Sequence, residues 1–265
     1  MKSNKYKILV LSDLKNTAEN TINNGVSLAQ MIDAEIALFH VKKHTDIVER
    51  DNQFSAIRTL NEEHNNTKNT INRIVDSISK DYNLKVNGSY AFGKVKEEIR
   101  NYIKVSNPDI IVLGQRDSSP LQLIGDSITR FILKEFKGIV MISGNENVLV
   151  PNEKMTLGVF NGSNKILNKF SNDLIMHTKS PLKSFKIVNS QNKINSGSVE
   201  NEEKMEEYVF EQNANAMNTL SSYLLKNNIN LLCVDRAEGK TKNTTETSLN
   251  KVISQVNVSL LVSEA

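Results

Sequence analysis

Few side chains in this sequence stand where they could do chemistry together. His40 and His44 have a spacing seen in some zinc pairs, but no cysteine or carboxylate pattern nearby completes a tetrahedral set. His64 and His177 lie apart on polar or helical segments, and no Ser-His-Asp or Cys-His order pairs a nucleophile with a base. The one cysteine, Cys233, sits in the apolar run Leu231-Leu232-Cys233-Val234 and reads as a small buried hydrophobe, so an intrachain disulfide is impossible. Gly239-Lys240-Thr241 imitates the end of a Walker A loop, yet the earlier glycine of that motif would fall at Val234. What remains is a set of turn residues, Asp13, Gly93, Gly114, Arg116 and Ser127. Each has an ordinary structural reading: Asp13 as a turn or cap residue, the glycines as tight turns, Arg116 as a solvated charge, Ser127 as an N-cap.

These residues punctuate a regular pattern. Short unbroken apolar runs recur at Ile8–Leu11, Ile36–Phe39, Ile110–Leu113 and Ile139–Ile142, each bounded by polar or turn residues, as expected of strands buried on both faces. A further strand fits Val86–Phe92 and ends at Gly93. Between the runs lie helical periods: Ile22, Val26 and Ala29; Ile71, Ile74, Val75 and Ile78; Ile99, Tyr102 and Ile103; Ile128, Ile132 and Leu133. Alternation of strand and helix predicts an α/β fold with a parallel sheet. The insert Lys42–Asn66 is too charged to be core.

After the turn-rich stretch Gly144–Glu153, which includes Val150-Pro151, the order begins again with a strand at Thr156–Phe160, a helix over Ile166–Met176 and a strand at Phe185–Val188. A shift of 121 residues lays 93–135 on 214–256 without a gap. Ile99 then meets Leu220, Tyr102 meets Tyr223, Ile110-Ile111-Val112-Leu113 meets Leu231-Leu232-Cys233-Val234, and Ser127 meets Ser248. Apolar positions coincide in both helical and strand register, so we expect two tandem five-stranded units, 1–147 and 148–265. The second is shorter between its second and third strands, where the polar stretch Gln191–Glu203 predicts a mobile surface loop and a trimmed or lost helix.

The 265 residues are 38% hydrophobic and 24% charged, with mean hydropathy −0.38, the profile of a folded chain. The net charge of +3 divides evenly between the halves, 20 basic against 18 acidic residues over 1–147 and 13 against 12 over the rest. Neither half has the basic surplus of a nucleic-acid binder. The N-terminal apolar run of four residues is too short for a signal peptide or a membrane span, which predicts a cytoplasmic protein.

Three features together resemble the universal stress protein family: Lys7-Ile8-Leu9-Val10-Leu11-Ser12-Asp13 near the start, Gly93 opening the third helix, and Asp109-Ile110-Ile111-Val112-Leu113-Gly114-Gln115-Arg116 followed by Ser127. The match covers about 1–143 well and 155–265 more weakly. It implies parallel five-stranded sheets with helices on both faces, Rossmann-like, with a nucleotide cleft at the carboxyl ends of the strands. It also implies that the two copies pack as a pseudo-dimer, joined at Ile139–Ile142 and Leu260–Val262, with a further homodimer open. By position, the resemblance implies ligand contacts from Asp13, Val41, Gly93, Gly114, Arg116 and Ser127.

The phosphate loop of ATP-binding members is altered here. Asp117 stands where a second glycine belongs, and Gly125-Asp126-Ser127 replaces Gly-Ser one residue short. A Cβ blocks close approach and a carboxylate repels a triphosphate unless a cation such as Mg²⁺ bridges them, which argues against ATP without the metal. The second copy departs further, with Asn161 opposite Asp13, Ala214 opposite Gly93, Asp235 opposite Gly114 and Glu238 opposite Asp117. The resemblance therefore implies a non-enzymatic stress-response or regulatory protein with any small ligand held mainly by the first copy. A ligand-free scaffold or partner-binding module is the alternative, and slow ATP hydrolysis is a third reading that lacks an evident base.

Overall fold

The computed structural model describes residues 5–15, 18–43, 53–114, 127–163, 165–179, 181–188, 205–236 and 249–264. The chain divides into two compact units, Met1–Gly114 and Gln115–Ala265. Among the described residues no helix is long and apolar enough to cross a membrane.

The first unit runs β1 (Tyr6–Leu11), α1 (Ala18–Ile32), β2 (Ala34–Lys42), α2 (Gln53–Tyr82), β3 (Val86–Phe92), α3 (Val95–Ser106) and β4 (Ile110–Gly114). Its strands lie side by side in the order β3-β2-β1-β4, all parallel. β1 and β4 are apolar without alternation because both faces are covered, and Ile8, Leu9, Val10, Ile110, Ile111 and Val112 are buried. On one face Gly25 of α1 lies so close to β1 that a Cβ there would come within 2.8 Å of Val10 Cγ2. On the other, Tyr102 of α3 stacks on Phe39 of β2 with ring centroids 4.0 Å apart. The charged insert is a surprise: from Gln53 it is already α2, and Glu63 and His64 turn inward onto the sheet edge rather than standing in solvent.

The second unit contains α4 (Ser127–Glu135), β5 (Ile139–Ser143), β6 (Leu157–Phe160), α5 (Lys165–Met176), β7 (Leu182–Val188), β8 (Met205–Glu211), α6 (Ala216–Lys226), β9 (Leu231–Val234), α7 (Leu249–Gln255) and β10 (Ser259–Val262). Its strand order is β5-β10-β9-β6-β7-β8, parallel except for β5 against β10. The stretch Gln191–Glu203 lies outside the described residues, and β7 pairs along its whole length with β8, the next described element.

Equivalent hydrogen bonds recur at equivalent places. Ile8 pairs with Ile110 as Leu157 pairs with Leu231, so both central strand pairs keep the 121-residue relation of their partners. Asp109 accepts from the Lys7 N–H at 2.9 Å, and Asn230 accepts from the Thr156 N–H at 2.7 Å. The Phe39–Tyr102 pair reappears as Phe185 edge-on to Tyr223, 6.1 Å between centroids. The β5–β10 pairing is reciprocal: Val140 faces Val262, the equivalent of Met141, while Met141 faces Leu261, the equivalent of Val140. Such self-complementary register is the mark of a two-fold relation between the paired segments. Because β5 closes on β10, the compact division falls at Gly114 rather than at residue 147, where the sequence repeat turns over.

Two equivalences differ from those read off the sequence, Asn161 opposite Asp13 and Ala214 opposite Gly93. Ser12 and Asn161 both donate their N–H to the carbonyl of the adjoining strand, at Phe39 and Phe185, so Asn161 stands in the place of Ser12 rather than Asp13. Gly93 and Gln212 both donate to the last residue of the neighbouring strand, Lys42 and Val188. The counterpart of Gly93 is therefore Gln212, and two extra residues precede α6 before the shift of 121 takes hold.

Candidate functional site

The carboxyl end of β1 is a tightly bonded turn. Ser12 donates its N–H to Phe39 O at 3.2 Å, and its hydroxyl accepts from the Leu14 N–H at 3.1 Å. Asp13 Oδ1 accepts from the Lys15 N–H at 3.0 Å, an Asx-type turn that takes Leu14 to a φ of 57° and leads towards α1. A second element holds this turn from below. His40, on β2 and buried, places Nδ1 2.8 Å from Ser12 O, so that nitrogen carries the proton and donates. Burial depresses the His40 pKa, opposed by the bond to Ser12; Lys42 lowers it further and Asp13 raises it.

The sequence-predicted residues of the first unit occupy neighbouring strand ends. Val41, half-buried, follows His40 and pairs with Ala91 of β3, and the Gly93 N–H donates to Lys42 O at 3.0 Å. Strands β1, β2 and β3 are adjacent and parallel, which sets Asp13, Val41 and Gly93 along one end of the sheet. A Cβ at Gly93 would first meet the Glu98 side chain, 2.7 Å from Oε1 and 3.1 Å from Cγ, the far end of which can yield. Gly114 is more constrained: a Cβ there would lie 2.6 Å from Oγ1 of Thr21, a buried residue of α1. The close approach that Gly114 permits is thus to a helix of the chain itself. Arg116, Asp117, Gly125 and Asp126 lie outside the described residues, and Ser127 opens α4, described by its backbone alone.

Sequence reasoning missed a cluster beside this end of the sheet. Lys42 forms an ion pair with Glu63 of α2, and the His64 ring lies 4.1 Å from Phe92 and 5.7 Å from Tyr90, centroid to centroid. Its signal was an amphipathic period hidden under many charges. A separate cavity of about 270 Å³ lies at the opposite end of the strands, where Lys7, Glu35, Ala37, Asn87, Tyr102 and Val105 contribute to its lining. No group of three or more metal-ligating side chains occurs among the described residues, and His44 lies outside them.

At the equivalent end of the second copy the side chains of Asn161, Ser163 and Arg236 bond to the protein. Ser163, buried, donates to Phe160 O and accepts from the Asp235 N–H at 2.9 Å. Asn161, with φ 50°, accepts from the Ile187 N–H at 3.1 Å. Asp235, in the place of Gly114, has Oδ1 buried without a hydrogen-bond partner, and burial with this neighbouring carboxylate pushes the Cys233 thiol up to about 12. Arg236, 8% exposed, donates its own N–H to the Ser263 hydroxyl at 2.9 Å. Its guanidinium donates to Phe136 O at 2.8 Å, Gly138 O at 3.0 Å and Leu133 O at 3.4 Å. Gly239-Lys240-Thr241, Glu238 and Ser248 lie outside the described residues.

Mostly parallel strands alternating with helices define a Rossmann-like α/β fold. Residues 6–143 match the model of the universal stress protein family, and the chain belongs to that family. A universal stress protein from Archaeoglobus fulgidus DSM 4304 superimposes over 98% of this chain and 97% of its own at 15% identity and TM-score 0.72, so the tandem fold extends beyond the matched half. A putative universal stress protein from Pseudomonas aeruginosa UCBPP-PA14 covers 97% of this chain and 92% of its own at 13% identity and TM-score 0.58. No curated protein sequence matches the chain.

Proposed function

We propose that this protein is a non-enzymatic, cytoplasmic regulator of the universal stress type, built from copies 1–147 and 148–265, in which only the first copy binds a small ligand. The class of ligand is an adenine nucleotide, with Asp13, Val41 and Gly93 on its nucleoside side and Gly114, Arg116 and Ser127 on its phosphate side. The observation that carries this reading is the inequality of the strand ends. Asp13 sits half-exposed on a turn that Ser12 and His40 hold in place, with Oδ1 bonded to the Lys15 N–H of its own turn, whereas Ser163 and Arg236 are buried and bonded to more distant parts of the chain. A preorganised acceptor at a strand end favours ribose hydroxyl donors.

The phosphate side is the weaker half of the fit. Thr21 already lies against Gly114, and acidic residues at 117 and 126 oppose a triphosphate unless Mg²⁺ neutralises them. These same two facts favour a second reading, a partner-binding module that has kept the fold without the ligand. Isothermal titration with ATP, with and without Mg²⁺, decides between them. The ligand reading expects Mg²⁺-dependent heat that Asp13→Ala reduces at least fivefold in affinity; flat traces under both conditions leave the partner-binding module.

A further inference from the structure

Two residues past β9, Arg236 carries a buried guanidinium whose two terminal nitrogens donate to main-chain carbonyls of another segment. It follows Asp235, and its own N–H is tied to the hydroxyl of Ser263 just beyond β10, so the base of the side chain is fixed. The guanidinium spans the carboxyl end of α4: Leu133 in its last turn, Phe136 just past it and Gly138 immediately before β5. A cation donating to the last carbonyls of a helix satisfies orphan acceptors and opposes the negative end of the helix dipole. The equivalent of Arg236 in the first copy is Gln115, which carries no charge.

α4 is nine residues long, and its other end is Ser127, a residue of the proposed phosphate side. Phe131 and Ile132 bury its apolar face. Apolar packing sets the distance of a helix from its neighbours but is not directional, and a helix can slide along such a contact. Directional hydrogen bonds to Leu133 O in the last turn and to Phe136 O and Gly138 O just past it do fix where that end stands along the axis. We propose that Arg236 is a positioning residue: by gripping the carboxyl end of α4 it sets where the first turn of that helix, and with it Ser127, stands. Arg236 then acts on the placement of Ser127 without touching any ligand. The ligand part of this inference rests on the reading of Ser127 given above; the positioning part does not.

Hydrogen exchange on the full chain, with peptides separating 127–132 from 133–139, tests it. Three variants serve: Arg236→Ala, Arg236→Lys, which keeps a donor and the charge, and Val252→Ala, a cavity at a buried position of α7 that destabilises while leaving the Arg236 guanidinium in place. Arg236→Ala should speed exchange in both peptides by about tenfold, with Arg236→Lys between it and the native chain and Val252→Ala unchanged at 127–132. Acceleration confined to 133–139, or an equal rise at 127–132 in Val252→Ala, overturns the proposal, and if Arg236→Ala does not fold the Lys variant decides alone. Titration with ATP and Mg²⁺ then separates the two claims. A native chain that binds should lose about fivefold in affinity on Arg236→Ala, and native affinity in that variant overturns the proposal as well. A native chain that does not bind retires the nucleotide reading, while the exchange result still decides the role of Arg236.

Discussion

The last residue of β4 and the residue that follows β9 occupy equivalent positions and do opposite things. At Gly114 the chain has no side chain at all, and Thr21 of α1 comes within 2.6 Å of where a Cβ would be. At Asp235 and Arg236 it has two charged side chains, one with a buried unpaired oxygen and one holding three main-chain carbonyls. One fold has thus been kept in two copies with different uses of the same strand end. The first packs its glycine against Thr21 and holds a half-exposed aspartate on a bonded turn at the end of β1. The second turns inward and serves as a brace. Duplication relaxes the demand on one copy, and a residue freed from ligand contact can take on packing.

The comparison breaks most readily at Arg236. Replacing it by alanine leaves Leu133, Phe136 and Gly138 carbonyls without their donor and should cost about 3 kcal/mol in denaturant unfolding, since hydrogen bonds from a charged donor exceed neutral ones. A loss below about 1 kcal/mol would show that water replaces the guanidinium readily. Next comes Gly114→Ala, whose methyl overlaps Thr21 Oγ1 and should cost about 2 kcal/mol. Adding Thr21→Ala should recover part of that loss, and strict additivity of the two would deny the contact.

His40 sharpens the contrast through pH. Its folded pKa lies below the ordinary 6.5, so above that value both folded and unfolded chains hold it neutral and it adds no pH dependence. As pH falls below 6.5 the unfolded chain takes up the proton first, and stability should fall until the folded pKa is passed. His40→Asn keeps a donor for Ser12 O and should flatten that slope, checked by urea midpoints between pH 7.5 and about 5. The smallest effect belongs to Asp13→Ala, which removes one turn hydrogen bond and should cost about 0.5–1 kcal/mol. A larger loss would make Asp13 mainly structural and weaken its assignment to a ligand.

Much of the fold was legible because strands buried on both faces are written as unbroken apolar runs, as at Ile110–Leu113 and Leu231–Val234. β8 was not, since Met205–Glu211 is an edge strand whose acidic residues break the pattern. The helical nature of the charged insert was hidden for a related reason: one narrow stripe, Glu63 and His64 included, meets the sheet beneath many solvated positions. At the candidate site, Asp13 could be placed at a strand end, but the bonds that pin its turn come from His40, 27 positions on. The service of Arg236 could not be read from spacing because its partners are main-chain carbonyls about 100 residues away, and any sequence offers carbonyls. Gly114 was readable as a place of close approach; that the approaching group is Thr21 was not.

Native mass spectrometry of the intact chain, titrated with ATP in the presence of Mg²⁺, measures the inequality of the copies as a stoichiometry. One nucleotide per chain, lost on Asp13→Ala, is the result expected if the first copy binds and the second braces. Two nucleotides per chain, or one that survives Asp13→Ala, would contradict it.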